Sequence, residues 1–335
     1  MRKIISNRAA AFLMALMSIL LAVGNAIAGD DRTEAVRVDV GGLKLNSVLL
    51  AADKGAKLPP VVFIHGASTS LYDPLYSFRG KLEGKAELLF VDRPGHGRSD
   101  MGGVEYILPD AQADAIARLM KLRGIPRAII VGHSFGGAIA AEMAVRHPDM
   151  VAGLVFLSPA LYPWKGGVAW YYDAASKPVT GSLFSTLLAP TIGLLAIDSA
   201  TRDVFAPNPR PADYLSRTHA TQALRPSTFR RNAQEISALN DWAKEASAGY
   251  GKIRAPSVII TGDADRIVSP DAHARHLARD IRGARLIVVH NLGHKSDLVA
   301  NDLAVAAIKR VAGQKVDLDA IARNVERGIA GDGKS

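Results

Sequence analysis

Residues able to do covalent chemistry stand at informative spacings in this 335-residue chain. Gly132-His133-Ser134-Phe135-Gly136 sets a serine between two glycines, directly after the apolar run Ala128–Val131 and directly before an alanine-rich stretch reaching Glu142. Strand, sharp turn and helix in that order make a nucleophile elbow, which lifts the serine Oγ above a sheet and points helix N-terminal N–H groups at it. Those donors favour negative charge arriving at Ser134, the charge that attack on an acyl carbon creates. At Gly132 and Gly136 a Cβ would crowd the neighbouring strand and helix, and Gly137 lets the helix pack close behind the turn. A serine nucleophile also needs a base and an acid to orient that base. Asp263 and Asp265 follow the apolar run Ser257–Thr261, and His290 and His294 follow the run Arg285–Val289.

The elements that must hold these groups can be read from period and punctuation. Val36–Val40 and Leu45–Ala51 alternate on either side of Gly41-Gly42, an opening antiparallel hairpin. Pro60–Ile64, Glu87–Val91 and Val151–Leu157 are continuous apolar runs, the pattern of buried parallel strands. Asp110–Lys121 reads as a helix that stops at Arg123-Gly124-Ile125-Pro126. Leu298–Arg310 and Asp317–Arg327 read as two closing helices. Strands alternating with helices predict an α/β protein with a mostly parallel sheet. From Leu161 to about Lys252 the alternation stops, and all three tryptophans fall in that segment. There Leu183, Leu187, Leu194 and Ile197 fall near helical spacing around Pro190 and Gly193, which predicts a broken helix pair that either forms an apolar wall of the pocket or packs wholly into the core.

Arg2, Lys3 and Arg8 precede the apolar run Ala9–Val23, and Ala26-Ile27-Ala28 closes it with small residues. That order predicts a signal peptide over residues 1–28, a mature chain from Gly29 and an exported, periplasmic or secreted protein; an uncleaved membrane anchor is the alternative. Loss of those three basic residues takes the formal charge from +9 to +6. The remaining Lys and Arg are scattered, which points away from nucleic acid and leaves room for weak association with anionic membrane surfaces. The chain has no cysteine and therefore no disulfide. His273 and His276 lack a third ligand at metal spacing, so no metal site is expected. Oligomeric state cannot be read from the sequence.

Taken together, the motifs resemble the α/β-hydrolase superfamily. Gly132–Gly136 is similar to its elbow, His65-Gly66-Ala67-Ser68 to the His-Gly element after its third strand, and Asp92–Asp100 to its D-x-x-G-x-G-x-S loop. Gly262-Asp263-Ala264-Asp265 resembles its G-x-x-D acid loop, and Gly293-His294 its G-H pair. The resemblance implies an eight-stranded, mostly parallel sheet flanked by helices, with core segments 29–160 and 253–335 and a helical cap over 161–252 after strand 6. It implies a triad of Ser134, Asp265 in preference to Asp263, and His294 in preference to His290, with the backbone N–H groups of Ala67 and Phe135 as oxyanion hole. His65, His133, Leu187 and Leu194 are candidate pocket residues, although a loop-shaping role suits His65 better. No cofactor is implied. The activity implied is hydrolysis of carboxylic esters with small to medium apolar acyl groups. Carbon–carbon bond hydrolysis and cofactor-free haloperoxidase chemistry remain open on the same framework. A non-catalytic binding protein would need a broken triad position, and none is broken.

Overall fold

The computed structural model describes residues 35–332 apart from 168–169, 178–180, 182–184 and 187–188. The expected signal peptide, the Gly29 start, Leu183 and Leu187 all lie outside the described residues. Eight strands form one sheet: β1 (Ala35–Asp39), β2 (Lys44–Leu50), β3 (Val61–Ile64), β4 (Leu88–Val91), β5 (Ala128–His133), β6 (Val151–Leu157), β7 (Ser257–Gly262) and β8 (Arg285–Val289). Their order is β1-β2-β4-β3-β5-β6-β7-β8, antiparallel from β1 to β4 and parallel from there on. The β1–β2 turn closes through Asp39 Oδ1, which accepts from the N–H groups of Gly41 and Gly42. Both glycines have positive φ, which a side chain would strain.

β3, β4 and β5 are buried along their whole length, and successive residues feed opposite faces. Val62, Ile64, Leu89 and Ile130 join the layer under α2 (Pro109–Leu122) and α3 (Phe135–Arg146). Val61, Phe63, Phe90, Ile129 and Val131 join the opposite layer. That second layer is covered by α1 (Tyr72–Leu82) and, beyond β8, by two later helices. Each fully buried Ile or Phe in these layers contributes roughly 1.5–3 kcal/mol relative to exposure. Parallel strands with helices on both faces gather the loops at their C-terminal ends on one edge, where such sheets place their chemistry.

Two boundaries differ from the sequence expectation. The helix expected over Leu298–Arg310 is divided into α9 (Ser296–Val299) and α10 (Asn301–Val311), and α11 (Leu318–Asp332) runs past its expected end. Between β6 and β7 the described residues form α4 (Trp170–Ser176), α5 (Ala189–Phe205), α6 (Tyr214–Arg217) and α7 (Pro226–Ala246), before α8 (Ala274–Asp280) follows β7. The hinge expected near Gly193 is absent: α5 starts with Pro190 in its first turn and passes straight through Gly193. A Cβ at Gly193 would meet Leu224 Cδ2 at 2.5 Å, so this glycine serves close packing. Leu194 is half-buried on α5. Among the described residues no helix is long and apolar enough to cross a membrane.

Candidate active site

Ser134 sits between β5 and α3 with φ 51° and ψ −118°, a conformation that a non-glycine residue holds only under constraint from its surroundings. The constraint is visible. A Cβ at Gly132 would lie 2.3 Å from Gly136 O, one at Gly136 2.2 Å from Ile64 O, and one at Gly137 2.7 Å from Pro159 Cβ. Helix and strands therefore close around the serine too tightly for any side chain. Ser134 N–H donates to Leu157 O of β6, and Ser134 O accepts from Gly137 and Ala160. Phe135 opens α3, so its N–H is one of the helix donors without an intrahelical partner.

The loop after β3 lies directly on this elbow. A Cβ at Gly66 would meet Ser134 Cβ at 3.2 Å and His133 Nδ1 at 3.1 Å, so the backbone of this loop runs directly against the elbow. His65 is used up in shaping the loop: Nδ1 lies 2.8 Å from Gly66 O, and Nε2 accepts from Arg93 N–H at 3.1 Å. Burial, with the Arg93 and His96 charges, pushes its pKa well below the usual imidazole range. His65 is therefore a neutral loop residue rather than the lining of an open pocket.

At the other end of the site, His294 Nδ1 lies 2.8 Å from Asp265 Oδ2. The carboxylate can only accept, so Nδ1 carries the proton and Nε2 is left as the base. Asp265 Oδ1 accepts from Ile267 and Val268 N–H, each at 2.9 Å. Burial alone would raise the Asp265 carboxyl, but His294 and those two amides outweigh it and hold its pKa below the ordinary value. Asp263 turns the other way, to His290 Nδ1 at 2.7 Å and Asn291 N–H at 2.7 Å, in an exposed pair.

His133 joins the two halves. Its Nε2 lies 3.1 Å from His294 O, and the two rings are 4.9 Å apart. Burial, then the Lys295 and His294 charges, push its pKa well below the usual range. His133 lies within the protein, against a small cavity shared with His65, Asp73 and Asp297, and not in an open pocket. Asp73, His133 and Asp297 offer ligand atoms within 4.8 Å of one another. A cation from the chain already sits there: Lys295 Nζ donates to Asp73 Oδ2 at 2.7 Å and to Asp297 Oδ2 at 2.9 Å. Burial would lower the Lys295 pKa, but Asp297 and Asp73 outweigh it and hold it well above the usual value. His273 likewise serves backbone, its Nδ1 accepting from Leu161 and Tyr162 N–H, with burial lowering its pKa to about 4.

Sequence reasoning missed the residues that hold these loops from a distance. Asp73 and Lys295 are one group, and Arg93 with Glu235 of α7 is another: Arg93 Nη1 donates to Glu235 Oε2 at 2.9 Å, both fully buried. Arg93 Nη2 also donates to Gly66 O at 3.1 Å, and its guanidinium lies 4.6 Å from the centre of the Phe135 ring.

Sheet order, elbow and acid–histidine pairing define a class, and the comparisons agree with it. Residues 59–298 match the family model described as alpha/beta hydrolase fold, and the chain belongs to that family. The 2-(acetamidomethylene)succinate hydrolase of Mesorhizobium japonicum is 34% identical over 81% of this chain and 92% of its own length. The 2-hydroxy-6-oxo-6-phenylhexa-2,4-dienoate hydrolase of Comamonas testosteroni is 25% identical over 75% of this chain and 86% of its own. The enol-lactonase of Burkholderia xenovorans LB400 has the same fold, with a TM-score of 0.66 at 20% identity over 83% of this chain and all of that one. The protein is thus a hydrolase of the α/β-hydrolase fold family, which suits a small-molecule substrate.

Proposed function

We propose that the protein is an exported serine hydrolase that cleaves carboxylic esters through an acyl-enzyme. Ser134 Oγ attacks the ester carbonyl carbon as His294 Nε2 takes its proton, and the tetrahedral oxyanion is held by the Ala67 and Phe135 N–H groups. His294 then protonates the departing alkoxide, and water cleaves the acyl-serine by the same steps. The observation that supports this most is the Asp265–His294 hydrogen bond of 2.8 Å, its carboxylate also tied to two amides, beside a serine held at φ 51°. Small to medium apolar acyl groups are the favoured substrates, and the inserted segment 161–252 acts as a cap over them, with Leu194 of α5 on the acyl side. Export rests on the basic, apolar, small-residue order of residues 1–28.

The test is a panel of p-nitrophenyl esters of increasing acyl length, with Ser134→Ala alongside and a fluorophosphonate as covalent label. Ester turnover and labelling that both vanish in Ser134→Ala are expected; labelling that persists in the variant overturns the assignment. A second reading, carbon–carbon bond hydrolysis with the same residues, is favoured by the similarity to the phenylhexadienoate hydrolase. A 2-hydroxy-6-oxo-dienoate in the same panel decides between the two.

A further inference from the structure

The loops that bear on the reacting atoms are each gripped by an asparagine from the segment between β6 and β7, and nothing in the triad requires this. Asn232 of α7 accepts from Ser68 N–H at 2.7 Å through Oδ1 and donates to Ser68 Oγ at 2.9 Å through Nδ2. Ser68 has φ 57° and directly follows Ala67. Asn208, just after α5, accepts from Gly293 N–H at 2.8 Å and donates to Asn291 O at 2.9 Å. Gly293 directly precedes His294. A Cβ there would meet Ala206 O at 2.3 Å, so the histidine loop lies flush on the end of α5. Both asparagines are buried. Each satisfies a loop N–H and one further loop polar group, the service a neighbouring strand would otherwise perform.

We propose that Asn232 and Asn208 are positioning residues for catalysis: Asn232 fixes the Ala67 donor of the oxyanion hole, and Asn208 fixes the height of His294 over Ser134. The inserted segment then assembles the site as well as covering it. This rests on the serine-hydrolase reading above. It departs from a packing role because the two bonding patterns differ in chemistry. At 232 an aspartate still accepts from Ser68 N–H, and the Ser68 hydroxyl turns round to donate to it. At 208 an aspartate faces the Asn291 carbonyl with no proton to offer, so acceptor meets acceptor.

The experiment uses the full-length mature enzyme with p-nitrophenyl acetate, phenylboronic acid as tetrahedral mimic, and melting curves for every variant. Asn232→Ala is expected to lower kcat about 10- to 100-fold with KM within about three-fold, and to weaken phenylboronic acid by a similar factor. Asn232→Asp is expected to restore kcat to within about three-fold of the parent. Asn208→Ala is expected to lower kcat and shift the acidic limb of the pH–rate profile, because the base is displaced; Asn208→Asp is expected to be no better than Asn208→Ala. An Asn232→Ala enzyme that melts like the parent and keeps its kcat overturns the proposal, as does a loss confined to KM or an equal rescue by Asp at both sites. If Asn232→Ala does not melt as the parent does, Asn232→Leu carries the same test, since leucine fills nearly the same volume and makes neither of the two Ser68 hydrogen bonds. Failure of the hydrolase reading looks different: the parent itself is then neither labelled by fluorophosphonate nor active.

Discussion

Two aspartate–histidine pairs lie on the same two loops, two residues apart on the acid side and four on the other, and they are chemically alike at nearly the same length. Asp265–His294 is 2.8 Å and Asp263–His290 is 2.7 Å. Their surroundings are opposite. The side chains of the first pair are 0% and 6% exposed, those of the second 43% and 81%. Water competes for every charge in the outer pair, so the Asp263 hydrogen bond and charge raise the His290 pKa, yet the pair fixes little. In the inner pair two amides hold the second carboxylate oxygen, so the acid has one orientation and the histidine one tautomer. The pairing alone does not fix one geometry for acid and histidine; the closed shell around it does.

Asp265→Asn is the most direct way to break this contrast. It should lower kcat by about 10⁴-fold, because an amide can present N–H to Nδ1 and trap the wrong tautomer. Steady-state kinetics on an active ester measure it, and a loss under ten-fold would mean that the inner pair is not the working one. Next in size is Lys295→Met, which removes the ammonium beneath the histidine loop and leaves Asp73 and Asp297 buried without a cation. A cost of about 3–5 kcal/mol is expected in urea denaturation, partly recovered when Asp73→Asn is added. An unchanged midpoint would show that the two acids have found another donor.

A third carboxylate sharpens the comparison. Glu142 of α3 is buried like Asp265, but burial first and then the nearby Asp110 charge raise its pKa to about 7. The folded state thus binds this proton more tightly than the unfolded chain, so the stability it contributes is complete below about pH 4.5 and is lost as pH rises through about 7. Glu142→Gln should therefore leave stability at pH 4 nearly unchanged and raise it by up to about 3 kcal/mol at pH 8.5. Equal effects at both pH values would refute the shift. The smallest effect belongs to the outer pair: Asp263→Asn should keep ester turnover within about two-fold and the melting temperature within a degree or two.

The sheet and the loops that carry the serine, the acid and the histidine were legible because each is written locally: β-branched runs for the strands, a serine between glycines, an acid or histidine just past a strand. Even the preference for Asp265 over Asp263 came from one four-residue pattern. What escaped was written across long separations. Asn232 finds Ser68 164 residues away, Asn208 finds Gly293 85 away, and Lys295 finds Asp73 222 away. An isolated Asn or Lys on a helix or loop carries no mark of such a partner. α1 escaped for a different reason, since Leu71 at its N-cap makes no side-chain bond and its apolar stripe is weak. Gly193 misled because a glycine inside a helix signals a hinge as readily as a close neighbour.

The buried Arg93–Glu235 pair bears on how freely this chain can exchange parts with its relatives. Arg93 belongs to the loop after β4 and Glu235 to the segment inserted between β6 and β7, and neither charge reaches water. A graft that replaced residues 161–252 with another protein's segment would strand a guanidinium inside the fold unless an acid came with it at the same place, at a cost of about 3–5 kcal/mol. That is a large share of the stability a domain commonly has. A chimera of this kind should express as aggregate when the acid is missing and as soluble protein when it is restored. The insertion is thus joined to its host by a charge lock, and the two halves can be inherited or engineered only together.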